Sequence, residues 1–278
     1  MDASRLWRSH RGKRWLWFGA LWVSWIVLQA PYTAIRSVGD DLWKAHDIDA
    51  YESAMFGGTE PGRFLQAHLY AHDLAWLDYA GYLAHGLWFG VPFAFGIVIM
   101  RYQRERLMEF LTMLNVLVYL CTLSFVFFPV RPPWMDEGIV RVLAVRNADY
   151  ISLDNNPMAA FPSLHAALPC AVALFYFTRC DRKVRPYAWL VAAYTLWVSF
   201  SIVYLGEHWV IDVLGGYAVA TVSVWLCVSP RMHRVWARIP GDPVGRLSTL
   251  NARLCAPAEA GTSDEEPEET FQPVPQAA

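Results

Sequence analysis

The chain is short of charge. Only 17% of its 278 residues are Asp, Glu, Lys or Arg, against about a quarter in a soluble domain. That deficit argues against an ordinary water-soluble protein, and the 55% hydrophobic share points the same way. Cysteine is scarce too. The five cysteines fall in apolar stretches or beside basic ones, which excludes an extracellular disulfide framework, and no two have the spacing of metal ligands. No internal repeat and no second domain is evident. The net charge of -2 decides nothing, because the charges are segregated along the chain. No nucleic-acid partner is expected.

What is present is apolar and aromatic. The 14 Trp and 13 Tyr suit rings that sit at a membrane–water interface. Stretches of roughly the 20 residues needed to cross a bilayer occur near 15–30, 79–100, 107–128, 163–178, 187–205 and 208–228. The expected fold is all-α, a polytopic bundle of six transmembrane helices. Pro92 predicts a kink in the second stretch. Pro169 falls early in the fourth and frees a carbonyl that neighbours or water must satisfy. A signal peptide is the rival for the first stretch, since basic residues precede it. Pro31 after Ala30 is a poor cleavage context, so a retained helix is expected.

Charge sets the expected orientation, because cytoplasmic segments are rich in Lys and Arg. With both termini inside, the outer segments hold only Arg36, Lys44, Arg63, Arg131, Arg141 and Arg146; the rest of the 23 Lys and Arg lie inside. The chain then divides into a basic cytoplasmic flank (1–14), a membrane domain (15–228), a second basic segment (229–254) and an acidic, Pro-rich tail (255–278) expected to be disordered. The long outer segment 32–78 carries Phe56-Gly57-Gly58-Thr59-Glu60-Pro61-Gly62, which reads as a turn between short interfacial helices.

Two stretches carry the chemistry: Phe161-Pro162-Ser163-Leu164-His165, and Tyr204-Leu205-Gly206-Glu207-His208-Trp209-Val210-Ile211-Asp212. Two membrane crossings separate them, so both lie on the outer side. The second, fourth and sixth spans all begin there, and helix N-termini attract anions. Pro162-Ser163 suits a helix start with Ser163 as cap or phosphate donor. His208 and Asp212 are four apart, on one helix face. A carboxylate beside an imidazole holds its tautomer, and a second histidine, His165, can act as general acid. A histidine nucleophile, its carboxylate and a proton donor suffice for phosphoester cleavage. Around them, Ser163, Arg131, Tyr204 and His85 are the substrate-binding candidates. Arg131 could instead be an interfacial arginine, and His85 a histidine bonded to a neighbouring helix. Glu207 could tune the nucleophile or be an exposed loop acid. Two histidines and an acid could also hold a metal, but no further ligands cluster nearby, so neither metal nor cofactor is expected.

At these residues the chain resembles the type 2 phosphatidic acid phosphatase superfamily. Pro162, Ser163 and His165 match its Pro-Ser-Gly-His motif, and Ser201, His208 and Asp212 match Ser-Arg-x5-His-x3-Asp. The resemblance covers roughly residues 50–228. It implies a phosphohistidine at His208, oriented by Asp212, with His165 protonating the leaving group. Three positions depart from the pattern: Leu164 for glycine, Ile202 for arginine, and Ser124 for the lysine of Lys-x6-Arg-Pro, which keeps Arg131-Pro132. Together with Pro132-Pro133-Trp134 and Asn156-Pro157, these departures are more similar to the inositol phosphorylceramide synthase branch and its bacterial relatives. That likeness implies a lipid phosphate substrate at the outer leaflet of the plasma membrane and head-group transfer to an alcohol or polyol. Transfer to water stays open, as do a non-catalytic lipid-binding or transport protein and a metal-dependent hydrolase. Vanadium haloperoxidases share the motif logic but are soluble.

Overall fold

A computed structural model describes residues 3–36, 38–70, 74–147, 158–238 and 249. Asn156 and Pro157, the 255–278 tail and most of the basic segment before it lie outside the described residues. Among those described, helices are joined by turns and two isolated bridges, with no strand. In order they are α1 (Ala3–Leu28), α2 (Ala30–Ile35), α3 (Val38–Leu42), α4 (Asp49–Met55), α5 (Pro61–His68), α6 (Ala75–Leu87), α7 (Gly90–Tyr102), α8 (Leu107–Phe127), α9 (Val142–Arg146), α10 (Leu164–Arg179), α11 (Arg185–Tyr204), α12 (Val210–Val228) and α13 (Pro230–Trp236).

Among the described residues, three helices are long and apolar enough to cross a membrane: α8 with the turn before it, α11 and α12. The α6–α7 pair makes a fourth candidate if counted as one bent span. α10 is apolar but has 16 residues. α1 is 26 residues long and takes the expected basic flank and first apolar stretch into one helix. The surface of the long helices is apolar: Trp189, Leu190 and Leu196 on α11 and Leu214, Val222 and Trp225 on α12 are exposed. Such faces suit lipid, where helices can satisfy all their backbone groups internally. The chain is an integral membrane protein.

The bend of the second stretch lies before Pro92. α6 and α7 meet at 56° across Trp88 and Phe89. A proline ring clashes with the carbonyl four residues earlier, which here belongs to Trp88. Pro92 itself sits comfortably in the first turn of α7. Pro169 does not break α10, whose neighbours enclose it.

α10 is the central helix. It packs against both α11 and α12 and also touches α7 and α8. Ala166, Ala167 and Ala171 are fully buried on it, and small residues let helix backbones approach in a membrane. Gly216 of α12 completes the approach, since a Cβ there would stand 2.6 Å from the Ser163 carbonyl oxygen.

The segments at the starts of α10 and α12 are stitched together. His46 donates its N–H to the Pro129 carbonyl at 2.8 Å, Arg131 to His46 at 3.0 Å, and Val130 to Met158 at 2.8 Å. Ile48, Val130, Ile139, Ala160 and Trp209 form an apolar plate beneath these bonds. The Gly-rich stretch turns between α4 and α5, with Gly57 and Gly58 at positive φ.

Candidate active site

Two helix starts meet at the site. Ser163 caps α10, its Oγ accepting from Ala166 N at 3.4 Å. Its own N–H donates to the Asp212 carbonyl at 3.0 Å, which ties one start to the other. α12 begins at Val210, so His208 precedes the helix rather than opening it. The expected one-face spacing is therefore realised differently. Asp212, in the first turn, folds back so that Oδ2 accepts from Trp209 N at 2.9 Å, and His208 falls within its reach.

The result is a relay of three side chains. His208 Nδ1 lies 3.3 Å from Asp212 Oδ2. Its other nitrogen, Nε2, lies 3.1 Å from His165 Nδ1. Asp212 is fully buried, and its Oδ1 has no hydrogen-bond partner. A carboxylate in that position fixes the tautomer of His208 and stabilises its imidazolium. In that tautomer the nitrogen directed at His165 carries the lone pair.

His85 and Trp88 complete the wall. The His85 ring lies 4.2 Å from that of His165 at 30°, and Trp88 lies 4.7 Å from it. The break between α6 and α7 follows His85 by one turn and turns both rings onto α10.

The other candidates lie farther out. The Tyr204 hydroxyl donates to the Asp78 carboxylate, which Arg146 also holds at 2.8 Å. Tyr204 is thus part of a buried charged network between α6, α9 and α11, and does not join the histidines. Arg131 pairs with Asp47 at 3.1 Å and donates to the Met135 carbonyl. Asp136 stands 3.9 Å away. Asp47, Asp49 and Asp136 have carboxylate oxygens within 4.8 Å of one another. Burial and then the charges of Asp47 and Asp49 push the Asp136 carboxyl above its ordinary range, against the pull of Arg131 and Arg63. Ile202, at the family's arginine position, is buried among Ala84, Ala166 and Val198.

Glu207, Gln66 and Glu52 also shape the site. Glu207 is buried and grips Arg141 through both oxygens, at 2.9 and 3.1 Å, so it turns away from His208. Arg141 in turn lies over the Trp134 ring. Gln66 exchanges two hydrogen bonds with Val140 and donates a third to the Tyr204 carbonyl, which pins the turn before Glu207. Glu52, fully buried in α4, accepts from Val210 N and Ile211 N at the start of α12. Burial raises its carboxyl above the ordinary range; the two amides oppose this, and Asp212 and Glu60 add to it. No local pattern marks Gln66 or Glu52, because their partners are distant in sequence.

A family model for the PAP2 superfamily matches residues 51–226, a stretch that contains the whole relay. The chain belongs to this superfamily. Among curated proteins it is 24% identical over 176 residues to the inositol phosphorylceramide synthase catalytic subunit aur1 of Schizosaccharomyces pombe, covering 54% of this chain and 38% of that protein. It is 30% identical over 115 residues to the inositol phosphorylceramide synthase catalytic subunit AUR1 of Saccharomyces cerevisiae, covering 34% of this chain and 28% of that one. The matches thus span well under half the length of either relative. Both agree with the branch that the motif departures resemble. No solved structure matches the chain.

Proposed function

We propose that this PAP2 superfamily member transfers a phosphorylated head group between lipids through a phosphohistidine on His208. The relay His165–His208–Asp212 is the observation that carries this reading. In the first half-reaction His208 Nε2 attacks phosphorus, and the P–O bond to the leaving alcohol breaks. His165, protonated, gives its proton to the departing oxygen, and Asp212 balances the charge that develops on His208. In the second, the acceptor hydroxyl gives its proton to His165, its oxygen attacks phosphorus, and the P–N bond breaks. Protons and electrons balance with no metal or cofactor. The 3.1 Å contact between the two histidines occupies the place of phosphorus and its leaving oxygen, so substrate entry parts the rings.

Ser163 and the first amides of α10 receive the phosphate oxygens. Arg131 exchanges Asp47 for the head group, and His85 supports the His165 ring. The acceptor is an alcohol, a reading supported by the names of the two yeast relatives; water as acceptor would make the same site a phosphatase. Six spans, with α1, α6–α7, α8, α10, α11 and α12 as the crossings, put both termini in the cytoplasm and the relay at the outer leaflet. The distribution of Lys and Arg supports that topology.

The test is turnover of a panel of lipid phosphates and phosphodiesters in chelator, with and without alcohols, beside His208→Ala. Turnover that resists chelator and vanishes in the variant is expected, and the product names the acceptor. Activity that survives in His208→Ala would remove the nucleophile assignment. Activity that chelator abolishes and added metal restores would replace the histidine mechanism with a metal-dependent one.

A further inference from the structure

The helix that carries Asp212 is held by a segment to which the motifs assign no role. Glu52 lies in α4 with none of its surface exposed. Its Oε1 accepts from Val210 N and its Oε2 from Ile211 N, each at 3.0 Å. These are the first two amides of α12, which no carbonyl within the helix can satisfy. The amide before them, Trp209 N, goes to Asp212 Oδ2. Two carboxylates therefore hold three consecutive amides, and one of the two is the partner of His208.

Glu52 is not on a loose strap. Ile48, just before α4, packs with Val130, Ala160 and Trp209. His46 is bonded on both sides to the 129–131 backbone, and Trp209 Nε1 donates to the Arg131 carbonyl at 2.7 Å. The same frame thus fixes the carboxylate and the residue next to His208.

His208 stands outside the helix, so its direction follows from the backbone of 207–210 and not from a helical repeat. The grip on Val210 and Ile211 sets the angle at which His208 leaves the helix and where Asp212 meets it. We propose that Glu52 is a positioning residue of the phosphotransfer site: it holds the first turn of α12 so that Asp212 and His208 stay in register. The inference rests on His208 as the nucleophile. Glu52 does not touch the reacting atoms. It also occupies the anion site at this helix start, so the substrate phosphate is received at α10.

The experiment uses the full chain in lipid nanodiscs, with Glu52→Gln and Glu52→Ala. Glu60→Gln is the control; Glu60 lies in the same segment and pairs with Arg63. Steady-state kinetics on a lipid phosphate are read beside the 15N resonances of histidine-labelled protein, with His208 assigned by its loss in His208→Gln. Misplacing reacting groups by about 1 Å can cost about a hundredfold. Glu52→Gln, which keeps the volume and one acceptor, should lower kcat about tenfold and Glu52→Ala about a hundredfold, with KM within about threefold. The His208 Nδ1 resonance should move or broaden in both, and Glu60→Gln should change neither readout. An unchanged His208 resonance in both Glu52 variants overturns the proposal, whatever the rate. A rise in KM at constant kcat overturns it as well, because it would place Glu52 in substrate binding. If the wild type turns over no lipid phosphate, the functional reading falls while the resonance still decides the role of Glu52.

Discussion

The starts of α10 and α12 point the same way, meet through one backbone hydrogen bond, and are treated in opposite ways. α10 is capped by a neutral hydroxyl, Ser163 Oγ on Ala166 N. α12 is capped by two carboxylates, Asp212 on Trp209 N and Glu52 on Val210 and Ile211. Both starts carry the partial positive charge of a helix N-terminus. At α12 the protein fills that charge with its own anions, which locks His208 and Asp212 in place. At α10 no carboxylate caps the start, which the proposed function assigns to the incoming phosphate. Under the proposed function, the division separates two duties, holding His208 and receiving the phosphate.

The largest expected effect comes from disabling the anion that faces His208. Asp212→Asn keeps the shape and can still accept from Trp209 N, but it no longer stabilises the His208 imidazolium. A loss of about 10²–10⁴ in kcat is expected, read in the same lipid-phosphate assay, with thermal unfolding close to wild type. A loss of less than about tenfold would mean that the relay does not run through Asp212.

The next effect comes from making α10 resemble α12. Ser163→Asp supplies an equally good cap but brings a negative charge to the start that should receive phosphate. KM for an anionic lipid phosphate should rise about tenfold or more, since like charges brought together are costly. An unchanged KM would show that phosphate does not bind at α10.

The smallest effect concerns Asp136 beside Arg131. Its folded carboxyl titrates above the ordinary 3.8, from burial first and then from Asp47 and Asp49. The folded state therefore holds that proton more tightly than the unfolded chain. The stabilisation from protonation is fully present below 3.8 and is lost as pH rises through the folded value. At neutral pH the charged Asp136 is a small cost, so Asp136→Asn should stabilise by no more than about 0.5 kcal/mol. The gain should fade on acidification toward 3.8, as read from unfolding midpoints across pH. A gain independent of pH would have another origin.

Much of this is legible in the residues alone. The apolar stretches became α8, α11 and α12 nearly residue for residue, because helix length and hydrophobicity are properties of contiguous chain. Phe56 to Gly62 is readable as a turn because Gly57 and Gly58 tolerate positive φ. The bend at Trp88 follows from Pro92 once the clash is counted four residues back. Other features have no local mark. Tyr204 lies inside a motif stretch, yet its hydroxyl goes to Asp78, 126 residues away. Glu207 touches His208 in sequence and Arg141 in space. Glu52 meets Val210 across 158 residues, and no spacing rule links them.

The sequence by itself determined that the chain is helical and membrane-embedded, and that two histidines and a carboxylate sit where apolar stretches begin. Those properties depend on local backbone preference and on contiguous hydrophobicity. Only the tertiary structure decided which groups those helix starts receive: a hydroxyl at α10, two carboxylates at α12, and His208 just outside its helix. Buried donors and acceptors must be paired, and the partner is whichever distant segment the fold brings within about 3 Å.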